Sequence, residues 1–136
     1  MEIEISEFMH NVGGLSLREG NKYAEEFRKF FKRSNYFLLS GTEKFVVVKI
    51  SRSKKPFWGL GKEYVDFLNQ LDYCLVLLVS SSEGWVFSKN EVISYINRND
   101  WPLAGDGDYK IHHPLQQSNK FYSSQEFKVI VGLVAP

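Results

Sequence analysis

The chain has 136 residues, of which 43% are hydrophobic and 24% are charged, and Cys74 is its only cysteine. This size and composition favour one globular domain over a disordered chain, and a lone cysteine excludes an internal disulfide. No apolar run approaches the roughly 20 residues that cross a bilayer, and the acidic start at residues 1–5 is unlike a secretory signal. We therefore expect a single domain over residues 1–136, located in the cytoplasm, with no membrane partner.

The charges are distributed unevenly along the chain, although the net charge is only +1. Residues 20–62 contain eleven Lys or Arg and three Glu, a balance of +8, and the remaining residues have a balance of −7. Such asymmetry predicts a basic face and an acidic face on one domain. The alternative is that the charges scatter over the surface whatever their sequence position.

The first half of the chain predicts a strand, a helix and a hairpin. Residues 3–5 alternate in polarity, which predicts a short edge strand, and Ser16 to Glu19 has the spacing of a capping box. Aromatic residues then recur at helical spacing and predict a helix over residues 20–32. Two β-rich runs, 36–39 and 45–50, flank a short glycine-containing loop and predict a hairpin. The second run is apolar on both faces, so it should be a central strand.

The second half continues with alternating helices and strands. An apolar stripe predicts a helix over 59–71, and strands are expected at 73–79, 85–87 and 109–112. Ser88 and Glu91 form a second capping-box pattern, and Ser123 is expected to cap a final helix. The resulting fold class is α/β, with a mixed central sheet flanked by helices on both faces.

Three segments together resemble the core of the PD-(D/E)xK nuclease superfamily, which has the restriction-endonuclease-like fold. They are Asn35-Tyr36-Phe37-Leu38-Leu39, Phe45-Val46-Val47-Val48-Lys49 and the amphipathic helix at 59–71, and the resemblance covers residues 20–97. It implies a nuclease in which acidic side chains bind Mg²⁺, the metal activates water, and a lysine assists at the phosphate.

The lysine position of the family's motif matches this chain, but its two acid positions do not. Lys49 matches the family's lysine, but the acid position two residues earlier is Val47 and the first acid position is nearest to Asn35. Some members carry the second acid on the following helix, and Glu63 lies near that spacing. The resemblance thus implies Lys49 and Glu63 as catalytic residues, with Mg²⁺ held by Glu63 and Asn35. The alternative is a nuclease-like domain that has lost cleavage and only binds.

Basic residues before and after the predicted hairpin, with aromatic residues beside them, indicate binding to a nucleic acid, expected to be duplex DNA. The candidate contacts are Arg28, Lys29, Lys32, Arg33, Arg52, Lys54, Lys55 and Trp58. A third interpretation is a protein-interaction module, in which the acidic part of the chain with Trp85, Trp101 and Tyr109 docks a partner or a second copy in a homodimer.

Overall fold

The structure of the chain, a computed structural model, describes residues 3–17, 21–30 and 35–134. Within these residues it contains five α-helices, eight β-strands and a short 3₁₀ helix at Gln117–Asn119. The helices are α1 (Ile3–Asn11), α2 (Ala24–Phe30), α3 (Lys62–Leu68), α4 (Lys89–Asn97) and α5 (Ser124–Ile130). The strands are β1 (Gly14–Leu15), β2 (Tyr36–Leu39), β3 (Phe45–Ile50), β4 (Phe57–Gly61), β5 (Tyr73–Leu78), β6 (Gly84–Ser88), β7 (Asp108–His112) and β8 (Lys120–Phe121).

The larger of the two described sheets is mixed and has the strand order β1-β2-β3-β5-β6-β8. Strand β3 pairs with β2 in an antiparallel hairpin and with β5 in parallel, so the predicted hairpin and the predicted central strand are both confirmed. The chain between β3 and β5 forms β4 and then α3, as a parallel connection requires. Strand β4 itself pairs with β7 in a separate two-stranded ribbon, called here the β4–β7 ribbon.

Helices cover both faces of the large sheet, so the fold is mixed α/β as predicted. Alternation along β3 sends Val47 into one buried cluster with residues of α2, α3 and the β4–β7 ribbon. Val46 and Val48 point the other way, into a cluster with residues of α1 and α5. Because Lys49 is two residues beyond Val47, its side chain lies on the face covered by α3 and the ribbon.

Two sequence predictions are wrong in their secondary structure. Residues 3–5 begin helix α1 and not a strand, because Ile5, Phe8 and Val12 recur at helical spacing and are all buried. The predicted helix at 59–71 begins only at Lys62. Trp58 and Leu60 alternate into the core and pair with β7, which makes the preceding residues a strand.

Two predicted helix caps in the second half of the chain are confirmed. Ser88 and Glu91 form a reciprocal capping box at the start of α4, and the Ser123 side chain accepts a hydrogen bond from the Glu126 backbone N–H at the start of α5. Part of the first capping-box pattern, and residues 31–34, lie outside the described residues. No helix in the described ranges is long and apolar enough to span a membrane.

Candidate functional site

A pocket of about 540 Å³ lies where the second half of β3 approaches the start of α3 and the β4–β7 ribbon. Its lining includes Lys49 from β3, Glu63 from α3 and Asp108 from β7, together with Gly59 and Gly61 of β4. Two of the predicted site residues, Lys49 and Glu63, are therefore brought to one pocket. Asp108 joins them from a part of the chain outside the predicted nuclease core.

The environment of Lys49 combines desolvation with a nearby negative charge. Burial lowers the pKa of the Lys49 ammonium below its usual value, and the negative charge of Asp108 opposes that shift. A buried lysine with a lowered pKa gives up its proton more readily than a solvated one. Such a group beside a carboxylate in a pocket is typical of functional sites.

Asp108 occupies its position because strand β4 has no side chain in the way. In the register of the ribbon, Asp108 is directly opposite Gly61, and a Cβ atom on the nearby Gly59 would lie only 3.0 Å from Asp108 Oδ2. The preceding turn is fixed by a hydrogen bond from the Asp108 backbone N–H to Asp106 Oδ1, at 3.0 Å. Asp106 is itself paired with Lys110 at 2.6 Å, and this contact lowers the pKa of the Asp106 carboxyl. The absence of a side chain at Gly59 thus leaves room for the Asp108 carboxylate.

The predicted metal ligand Asn35 does not line this pocket. Asn35 lies just before β2, where its backbone carbonyl accepts a hydrogen bond from the Val48 N–H at 2.8 Å. Its side-chain Oδ1 is buried and has no hydrogen-bond partner among the described residues. Glu63 and Asn35 are therefore not brought together at the pocket, and the acid that accompanies Glu63 there is Asp108.

Sequence reasoning missed Asp108 because its role depends on the pairing of β4 with β7. The sequence carries two signals, the alternate glycines of β4 and the acidic turn before a predicted strand, but neither one says which strand lies beside which. Within the ranges that the structure describes, no group of three or more His, Cys, Asp or Glu side chains is placed to hold a metal.

A second concave region lies at the other end of the ribbon and is called here the basic cleft. Lys54, Lys55, His113 and Lys120 line it, together with Glu83, and its volume is about 580 Å³. The His113 N–H donates to the Pro56 carbonyl at 3.1 Å, which holds the end of β7 beside the lysine-bearing loop.

Lys120 is fixed in the wall of this cleft. Its Nζ lies 3.9 Å from the centroid of the Trp85 ring and 3.4 Å from a Glu83 carboxylate oxygen. Among the described residues of the cleft, three ammonium groups face one carboxylate, so the cleft is net positive. It is suited to bind an anion such as phosphate.

Trp58 was predicted to contact nucleic acid, but its ring is in the core. The residue is only 2% exposed, and its Nε1–H donates to the Leu78 carbonyl at 3.3 Å. A base cannot stack on this ring, contrary to the prediction. Strand alternation turns the neighbouring Phe57 outward instead, and that side chain is 55% exposed.

The remaining predicted nucleic-acid contacts are dispersed. Arg52 forms an ion pair with Glu4 of α1 and does not line the basic cleft. Lys29 is exposed on α2 and pairs with Glu26 at 3.2 Å, while the Arg28 Nε–H donates to the Ala24 carbonyl at 3.3 Å. Lys32 and Arg33 lie outside the described residues.

The aromatic residues of the predicted docking face are largely internal. Trp85 is 5% exposed and Trp101 is 4% exposed, so both contribute to the core and neither offers a ring to a partner. Tyr109 is half-buried on β7.

Comparison of the chain with protein-family models, with curated proteins and with solved structures finds no match. The candidate sites are therefore interpreted from their own chemistry.

Proposed function

We propose that this protein binds nucleic acid and that the pocket around Lys49 hydrolyses a phosphodiester bond with the help of Mg²⁺, on a restriction-endonuclease-like fold. The observation that carries the proposal is that Lys49, Asp108 and Glu63 line one pocket. Lys49 lies in the second half of β3, which pairs in parallel with β5.

The pocket offers carboxylates, the ligand type that the proposed Mg²⁺ ion would use. Mg²⁺ prefers oxygen ligands and is usually bound by one or two carboxylates, with waters and substrate phosphates completing its shell. Asp108 and Glu63 would supply those carboxylates. When bound, the ion supplies an activated water and positive charge at the phosphoryl oxygens.

The protein's own side chains have separate roles in this proposal. The Lys49 ammonium binds a phosphate oxygen, and its lowered pKa favours proton donation to the leaving oxygen. Asp108 keeps the ammonium charged and oriented. Lys54 and Lys55 in the basic cleft bind backbone phosphates, which gives affinity without sequence preference.

A binding-only protein is the second candidate, and one observation favours it. Val47, at the family's acid position, is fully buried in the core and cannot ligate a metal. In this case the basic cleft would bind nucleic acid and the Lys49 pocket would hold a phosphate without cleaving. A protein-interaction role, with a second copy of the chain as partner, stays a prediction.

The test is a titration of purified protein into labelled DNA, both as a duplex and as a single strand, with and without Mg²⁺ at constant ionic strength. We expect cleavage products only with Mg²⁺, and we expect Lys49→Ala to abolish them. Lys128→Ala is the control, since Lys128 lies on α5 across the sheet. DNA that is shifted but not cut would support the binding-only candidate. DNA that is neither shifted nor cut would contradict both candidates.

A further inference from the structure

The outer face of the β4–β7 ribbon carries a different set of side chains from its inner face. Trp58 and Leu60 point inward and are buried. Phe57, Gly59 and Gly61 therefore point outward, because side chains alternate along a strand. Their partners in the register, His112, Lys110 and Asp108, share that outer face.

Two exposed rings lie next to each other on this outer face. Phe57 is 55% exposed, and its ring centroid lies 6.1 Å from that of the exposed His112, with an interplanar angle of 27°. The exposed residues Leu103 and Ile130 are aliphatic, and the exposed ring of Tyr122, at 54%, follows β8 and does not belong to the ribbon. The Phe57–His112 pair is thus a surface on which a planar ring can stack.

The Phe57–His112 pair lies on the ribbon between the Lys49 pocket and the basic cleft. At one end of the ribbon, Gly59, Gly61 and Asp108 line the Lys49 pocket. At the other end, Pro56 and His113, the neighbours of Phe57 and His112 in the chain, line the basic cleft. Gly61 lies four positions after Phe57 in β4, a distance of about 13 Å at ~3.3 Å per residue. A nucleic-acid strand of a few nucleotides spans this distance.

We propose that the outer face of the β4–β7 ribbon binds single-stranded nucleic acid, with an unpaired base stacked on Phe57 and His112. A flanking phosphate lies in the basic cleft, against Lys54 and Lys55, and the strand continues along the ribbon toward the Lys49 pocket. This inference rests on the proposed nucleic-acid binding and names its substrate class. Bases inside a duplex already stack on their neighbours, whereas an unpaired base has a free face for an aromatic side chain.

The test measures binding without cleavage. Fluorescence anisotropy is recorded in EDTA with a labelled 12-nucleotide single strand, as DNA and as RNA, and with the corresponding DNA duplex. Three proteins are compared: the wild type, Phe57→Leu, which keeps an apolar side chain but removes the ring, and Phe57→Trp, which restores a ring. Leu15→Ala, at an exposed position on β1, is the control for loss of surface apolar area.

We expect Phe57→Leu to weaken single-strand binding about tenfold, and Phe57→Trp and Leu15→Ala to leave it near wild type. The two single strands show whether DNA or RNA is preferred. Equal single-strand affinity of Phe57→Leu and wild type, or an equal loss for duplex and single strand, would overturn the inference.

The outcome separates this inference from the proposed hydrolysis. If Phe57-dependent single-strand binding occurs but Mg²⁺ gives no cleavage, the ribbon site stands and the hydrolytic role fails. If Mg²⁺-dependent cleavage requires Lys49 while Phe57→Leu binds single strands like wild type, the ribbon site fails and the hydrolytic role stands.

Discussion

The carboxylate of Asp108 lies against the backbone of Gly59, and a Cβ atom at position 59 would be 3.0 Å from Asp108 Oδ2. That separation is shorter than an ordinary van der Waals contact. The absence of a side chain on β4 therefore allows a residue of β7 to reach the pocket that contains Lys49. The charge that opposes the desolvation of Lys49 depends on this arrangement.

Gly59→Ala should impair the site without unfolding the protein. The added methyl group requires the Asp108 carboxylate to shift by a few tenths of an ångström, which disturbs its interaction with Lys49 and its position as a ligand of the proposed Mg²⁺ site. We expect Mg²⁺-dependent cleavage to fall at least tenfold. The thermal midpoint should stay near wild type, because alanine at a compatible backbone position reduces the entropy of the unfolded chain.

Gly105→Ala is the matched control for this substitution. A Cβ atom at Gly105 would meet nothing within 4 Å, so activity should be unchanged. Equal activity of Gly59→Ala and Gly105→Ala would contradict the role given to Asp108.

The stability of the protein should depend on pH through Lys49. Burial lowers the pKa of Lys49 in the folded state below 10.5, so between that lowered pKa and 10.5 the unfolded chain binds more protons than the folded one. The free energy of unfolding therefore rises with pH across this window. Urea unfolding at a series of pH values, for wild type and Lys49→Met, isolates the effect. We expect the free energy of unfolding of wild type minus that of Lys49→Met to rise with pH within this window. A difference that stays constant or falls would contradict the lowered pKa of Lys49.

Binding of nucleic acid should depend steeply on salt through the basic cleft. Each lysine that neutralises a phosphate contributes about 0.9 to the slope of log K against log salt for duplex DNA. Replacing Lys54 and Lys55 together by alanine should therefore reduce the magnitude of the slope by about two. Arg52→Ala should change the slope less, because Arg52 is already paired with Glu4. A double variant with the wild-type slope would exclude the basic cleft as a phosphate site.

The capping box of α4 should contribute measurably to stability. The Ser88 Oγ accepts a hydrogen bond from the Glu91 N–H at 3.2 Å, and the Glu91 carboxylate also accepts one from the buried Asn119 amide at 2.8 Å. Ser88→Ala should lower the free energy of unfolding by about 1 kcal/mol. Chemical denaturation measures this loss in the free energy of unfolding. The control is Ser94→Ala at an exposed position in the same helix. Equal stability of the two variants would contradict the role of the cap.

Local sequence patterns predicted correctly those elements whose structure depends on residues close together in the chain. The hairpin of β2 and β3, the buried strand β5 and the caps at Ser88 and Ser123 follow from alternation, apolar runs and side-chain acceptors close in the chain. The same reasoning failed at residues 3–5 and around Trp58. A three-residue alternation is too short to exclude a helix, and strand and helix both fit the apolar residues that follow Pro56.

The sequence by itself determined a mixed α/β domain with a central β3 strand and an unusual lysine at position 49, because these depend on periodicity and residue type along one segment. Only the tertiary structure decided that Asp108 accompanies Lys49, that Trp58 is internal, and that Phe57 and His112 lie side by side. Those relationships depend on the pairing of β4 with β7, two segments about fifty residues apart, and no local pattern specifies which distant strands pair.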